Sequence, residues 1–137
     1  MRKRFMGAGC AAALCVALAI PLTASGAAEV SGHLSAGQIV NPSGGDRGAS
    51  GDVTLKVNRA KKRICYEITY RNLEDVTGAH LHKGDRGEIG REILTLFEGD
   101  EASPVSGCVR DVRKRIVKRL KREPEAHYVD IDTEAYP

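Results

Sequence analysis

The sequence has no tryptophan, two phenylalanines and four tyrosines in 137 residues. No aromatic residue falls inside its most basic stretch, 110–122. A surface for single-stranded nucleic acid interleaves cations with aromatic rings on which bases stack; this stretch lacks such rings, and nucleic acid is not an expected partner. Signatures of several reaction classes are missing as well. There is no Gly-x-Ser-x-Gly elbow, no Gly-rich phosphate loop and no His-Glu-x-x-His helix, which removes the usual sequence grounds for a serine hydrolase, a nucleotide hydrolase or a zinc protease. Only one stretch carries helical periodicity, so a parallel sheet with crossover helices is not expected.

Charge is absent between Arg4 and Glu29. Arg2-Lys3-Arg4, an Ala-rich apolar stretch to Leu22 and the small residues Thr23–Ala28 have the three-part form of a secretory leader. The expected organisation is a signal peptide over 1–27, cleaved after Ala27, followed by one domain over 28–137 that is secreted or periplasmic. An uncleaved anchor would use the same uncharged stretch, but its Ala and Gly content with few Leu or Ile argues against that. The leader carries Arg2, Lys3 and Arg4 and no acid, so the formal charge of +3 and the pI near 8.7 belong largely to it. Beyond it, basic and acidic residues are equal in number. About 110 residues suffice for one small core.

The leader also removes Cys10 and Cys15, leaving Cys65 and Cys108 of the four cysteines. In an exported domain the simplest arrangement is a disulfide between them, the alternative being two reduced buried thiols.

Most of what remains alternates with period two. Val53, Leu55 and Val57 interleave with Thr54, Lys56 and Asn58; Ile64, Tyr66, Ile68 and Tyr70 interleave with Cys65, Glu67, Thr69 and Arg71. With the turn-like 58–62 between them, these form a hairpin candidate. Further short strands are expected over 30–36, 76–82, 92–97, 105–109 and 127–133, punctuated by turns at 41–46 and 83–90. Many short strands at this spacing point to an antiparallel sandwich or small Greek-key barrel. The single helix is expected over 111–122, with Val112, Ile116 and Leu120 as its apolar stripe, Asp111 as its cap and Pro124 as its stop. Its other faces carry Arg113, Lys114, Arg115, Lys118, Arg119, Lys121 and Arg122. A basic amphipathic helix is a candidate site for a polyanion or an anionic membrane surface; an ordinary solvated face is the plainer interpretation.

The segment Ala79-His80-Leu81-His82-Lys83-Gly84 places two imidazoles on one face of a strand, with Cα atoms about 6.6 Å apart. Such a pair can supply two ligands to zinc or copper. Further ligands would have to come from His33, His127, Asp130 or Asp132. The alternative is that the pair orders the adjoining Gly-rich loop or bonds a carboxylate. Gly84, Gly87 and Gly90 in that loop are expected to serve positive φ.

The chain resembles the CHRD domain family, a module of exported proteins. The resemblance rests on Gly51-Asp52-Val53-Thr54-Leu55, Ile64-Cys65-Tyr66-Glu67-Ile68-Thr69, Ala79-His80-Leu81-His82-Lys83-Gly84, Ser106-Gly107-Cys108-Val109 and Tyr128-Val129-Asp130-Ile131-Asp132-Thr133 with Tyr136-Pro137. It implies an all-β, antiparallel sandwich of immunoglobulin-like or copper–zinc superoxide dismutase-like Greek-key type, here with one short basic helix, and no established enzymatic activity. The family pattern carries a histidine where this chain has Asp132, an oxygen donor that suits harder ions than copper. It also places a Gly-x-Ile-Arg-Gly-x-Leu strand after the Tyr-Pro pair, a position beyond Pro137, and a sandwich without that strand would present an open sheet edge. The expected function is a non-enzymatic binding or structural module with a protein or glycan partner. The alternatives are a zinc or copper protein using His80, His82 and Asp132, and a polyanion or membrane-surface binder using Arg113, Lys114, Lys118, Arg119, Lys121 and Arg122.

Overall fold

A computed structural model describes residues 26–36, 48–85 and 87–137. The expected leader, apart from Gly26 and Ala27, and the expected turn at 41–46 lie outside the described residues. Among the described residues, alternation of apolar and polar side chains resolves into seven strands: β1 (Ala27–Ser35), β2 (Ser50–Asn58), β3 (Arg63–Arg71), β4 (Val76–Lys83), β5 (Arg91–Glu98), β6 (Val105–Val109) and β7 (His127–Thr133). They form two antiparallel sheets, one ordered β1-β2-β3-β6 and the other β5-β4-β7. The chain therefore crosses between sheets after β3, after β5 and again after β6. An all-β sandwich with one short helix is the observed architecture.

The expected hairpin is β2–β3, with Val57 opposite Ile64 and Leu55 opposite Tyr66. Its turn is closed by the Lys61 N–H donating to the Asn58 side-chain oxygen at 2.9 Å. The inward set of these strands, with Ala79 and Leu81 of β4, Leu96 and Phe97 of β5 and Val129 of β7, makes one buried core. Cys65 and Cys108 stand opposite each other in the β3–β6 register and are joined by a disulfide. They alternate with the buried Ile64 and Tyr66, so the bridge lies on the outer face of its sheet.

The helix α1 runs Lys114–Arg122, three residues shorter at its start than expected. Asp111 does not cap it: this residue sits at φ +54°, with its carboxylate 3.4 Å from Lys62 Nζ. Arg113 takes the cap position without a side-chain hydrogen bond. The reason is a tertiary contact, because the Val112 N–H donates to the Lys62 carbonyl at 2.9 Å and ties 111–112 to the hairpin turn. The buried helical residues are Val117 and Leu120, with Val112 buried ahead of the helix and Ile116 only partly so. Burial of Val117 and Leu120 docks the helix on the core, and the backbone leaves it through a short 3₁₀ turn, Pro124–Ala126, into β7.

Two register shifts in β4–β5 matter for the site. Ala79 faces Phe97 but His80 faces Thr95, and Leu81 faces Leu94 but His82 faces Glu92. Each shift inserts an extra β5 residue, a bulge that re-aims the side chains after it. Leu96 and Phe97 are consequently both buried, although they are neighbours in sequence.

Candidate functional site

His80 and His82 lie on the face of β4 opposite the buried Ala79 and Leu81, as strand alternation requires. Their side chains are nevertheless only 16% exposed, because neighbouring strands cover them. His80 lies between two carboxylates: its Nδ1 is 3.2 Å from Glu92 Oε1 and its Nε2 is 3.2 Å from Asp132 Oδ2. Glu92 Oε1 also accepts the Thr95 hydroxyl at 2.8 Å. His82 directs Nε2 to Asp130 Oδ2 at 3.1 Å and Nδ1 to the Gly90 carbonyl at 3.2 Å.

Hydrogen counting limits what these contacts are. A carbonyl only accepts, so the His82 Nδ1–H donates to Gly90, and a further proton must lie between Nε2 and Asp130. His80 faces a carboxylate at each nitrogen, so two protons are needed for both contacts to be hydrogen bonds. Burial raises the Asp130 carboxyl above its ordinary value; His82 opposes the rise, Asp132 adds to it and His80 opposes it. Glu92 is lowered, chiefly by the Thr95 hydroxyl and also by His80.

The same face holds the Gly-rich loop. Tyr128 stacks on His82 with ring centroids 5.0 Å apart, and its hydroxyl accepts the Gly90 N–H at 2.9 Å. Both main-chain groups of Gly90 are therefore held by the stacked pair. Gly84 and Gly90 are needed for close approach rather than for positive φ. A Cβ on Gly84 would lie 2.8 Å from the Gly90 Cα, whereas only Gly87 of the three has positive φ, at +87°.

A family model described as the CHRD domain matches residues 23–137. The chain belongs to the CHRD domain family. No curated protein and no solved structure matches it.

In this CHRD domain the two histidines and Asp132 do come together on one face, but not as three ligands about one point. Asp132 serves His80, Asp130 serves His82, and among the described residues no three His, Cys, Asp or Glu side chains converge to hold a metal ion. The remaining histidines have other partners: His33 Nδ1 is 3.0 Å from Asp52 Oδ1, and His127 Nδ1 donates to the Glu123 carbonyl at 2.8 Å. As arranged, the donor set is a hydrogen-bonded array. Glu92 was not a candidate in the sequence, because only the β5 bulges bring it beside His80.

The basic residues occupy a separate part of the domain. Arg113, Lys114, Lys118, Arg119, Lys121 and Arg122 are all exposed. Lys114 and Lys121 also border a small pocket with Arg59 from the β2–β3 turn, a cation that the helix pattern alone did not reveal.

On the side where β1 and β7 form the sheet margins, a groove of about 1410 Å³ runs through the CHRD domain. Its lining includes every residue from His127 to Thr133, so both faces of β7 contribute, together with Leu34, Val53, Leu55 and Leu81. All four histidines line it, as do Glu29, Glu92, Asp130 and Asp132, and among the described residues no Lys or Arg does. Ile89, exposed to 74%, stands in the loop at its mouth.

Proposed function

We propose that this domain is an exported, non-enzymatic binding module and that the groove on the β1/β7 side is its binding face. The observation that supports this is the groove lining, in which apolar side chains adjoin carboxylates and all four histidines. A large concave surface with an apolar floor and a few directed polar groups is the usual form of a binding site. The histidines here support the walls of that site: His82 and Tyr128 hold the 83–90 loop, and His80 joins β5 to β7 through Glu92 and Asp132. Groups tied up in this way are poor candidates for proton transfer to a substrate, which favours binding over turnover.

Photo-crosslinking in the exporting cell tests this reading. A crosslinker at Ile89 is expected to give discrete adducts that one at Arg119, on the exposed face of α1, does not give. Adducts confined to position 119 would favour the polyanion-binding alternative instead. Saturable turnover by the purified domain, lost in His80→Ala, would overturn the non-enzymatic part.

A further inference from the structure

We propose that α1 and the β2–β3 turn together form a cationic face that binds a linear acidic polysaccharide, with Arg59, Lys114 and Lys121 holding one of its sulfate or carboxylate groups. This recess shares no lining residue with the groove, so it is a second binding surface rather than a part of the first.

Segregation of charge is the first ground. Of the 21 Lys and Arg, three are Arg2, Lys3 and Arg4; twelve of the other 18 fall in two short segments, 59–63 and 110–122. Those segments hold a single acid, Asp111, which Lys62 already engages. They are far apart in sequence, yet the bond from the Val112 N–H to the Lys62 carbonyl joins them at the start of the helix. A domain whose charges balance as a whole thus concentrates one sign in one region, and such a concentration draws polyanions.

The second ground is convergence. Lys114 and Lys121 lie two turns apart, about 10 Å along the helix axis, on the flank that adjoins the turn. With Arg59 they line a recess of about 470 Å³ whose remaining lining is Gly26 and Ala60, and no acid enters it among the described residues. Gly26 belongs to the expected leader, but the three cations do not. All three are exposed. Among the described residues the salt bridges of Lys and Arg are Lys56–Glu67 and Lys62–Asp111, so Arg59, Lys114 and Lys121 have no carboxylate partner.

The third ground is that α1 breaks the local rules of its own stability. It has no acid in its first turn and opens with Arg113-Lys114-Arg115, cations at the positive end of the helix dipole. Lys114 and Lys118, Arg115 and Arg119, and Lys118 and Arg122 are like-charge pairs at i,i+4. Both features oppose the helix, and an anionic ligand relieves both. Local rules broken in this way are expected at functional sites.

What the face lacks selects its occupant. A helix that lies in a membrane needs a free apolar face, but Val117 and Leu120 are buried in the core, and the large apolar side chain exposed among the described residues is Ile89, in the 83–90 loop. No aromatic ring falls within 59–63 or 110–122 to stack a base. A small anion would fill the recess and leave the other cations of α1 unpartnered, whereas a chain of repeated charges reaches both. The choice of a polysaccharide over duplex nucleic acid rests on the export reading.

Sulfated dextran is the probe, with unsulfated dextran of equal length as its control, and calorimetry of the purified protein reads the affinity. Binding of the sulfated chain alone is expected, with affinity that falls as salt rises. Arg59→Ala and Lys114→Ala/Lys121→Ala should weaken it at least about threefold per charge removed. Arg71→Ala removes the same charge at the opposite end of β3 and should change it by less than about twofold. All four positions are exposed, so the variants should fold. Equal losses in Arg59→Ala and Arg71→Ala would overturn the composite site in favour of net charge. Salt-indifferent binding, or none to the sulfated chain at low salt, overturns the whole inference. Tighter binding to duplex DNA or to phosphatidylglycerol vesicles, at equal charge concentration, overturns the polysaccharide. Cell fractionation that finds the protein only in the cytoplasm would remove the export reading and with it the choice of a polysaccharide, while loss of the Ile89 crosslinks would remove the groove reading and leave this site standing.

Discussion

Replacing both cysteines in Cys65→Ser/Cys108→Ser isolates what the disulfide contributes. The bridge spans 43 residues and joins positions already opposite each other in the β3–β6 register. It lies on the outer face of its sheet, with Cys108 exposed, so Ser substitution opens no core cavity. Its contribution should then come almost wholly from confining the unfolded chain. A closed loop of that length corresponds to about 4 kcal/mol in the chain-entropy treatment. Small domains have only roughly 5–15 kcal/mol in total, so the variant should be barely stable, with a midpoint lower by on the order of 15 °C. Urea unfolding of the double variant and of the native protein, with and without reductant, measures this. Reduction of the native protein should reproduce the variant, and the denaturant slope should rise in both as the unfolded chain expands. A loss under about 1 kcal/mol with an unchanged slope would refute the argument, because a confined unfolded state must reveal itself in both quantities.

Leu120→Ala removes a side chain that is 1% exposed beneath α1 and should cost about 2–5 kcal/mol. Lys118→Ala, on the exposed face of the same helix, should stay within about 0.5 kcal/mol, as thermal melts of the two variants would reveal. Burial raises the Asp130 carboxyl, so the folded state holds that proton more tightly; the associated stability is present at low pH and lost as pH rises through the folded value. Asp130→Asn should therefore flatten the decline in stability above about pH 4, measured as unfolding free energy against pH. Glu92 is lowered and acts in the opposite sense: its contribution is present above its ordinary value and lost on acidification, and Glu92→Gln should remove that loss. Elemental analysis of untagged protein should find less than about half an equivalent of transition metal, unchanged in His82→Ala, because a structural centre would need three or four converging ligands.

The two-residue alternation determined the strands, since a strand with one face in a core must repeat apolar residues at that period. Among the described residues five of the seven strands lie within two residues of the expected limits, while β1 and β2 each begin three residues earlier than expected, at Ala27 and Ser50. The cysteine pairing and the shared face of His80 and His82 follow from the same local logic, the first from count and compartment, the second from parity along one strand.

What local pattern did not determine is each case in which a distant segment sets the neighbour. The helix begins at Lys114 rather than Asp111 because Val112 bonds the Lys62 carbonyl of a remote turn. Glu92 reaches His80 only through two bulges in β5, and a bulge changes register without leaving a clear mark in the hydrophobic pattern. Asp130 and Asp132 share the face of β7 that their alternation with Val129 and Ile131 implies. The β4–β7 register offsets them, so that each meets a different histidine. The groove is a property of sheet order alone. Strand alternation tells which side chains turn inward, but only the assembled sheets decide which strands, β1 and β7 on this side, stand at the sheet margins.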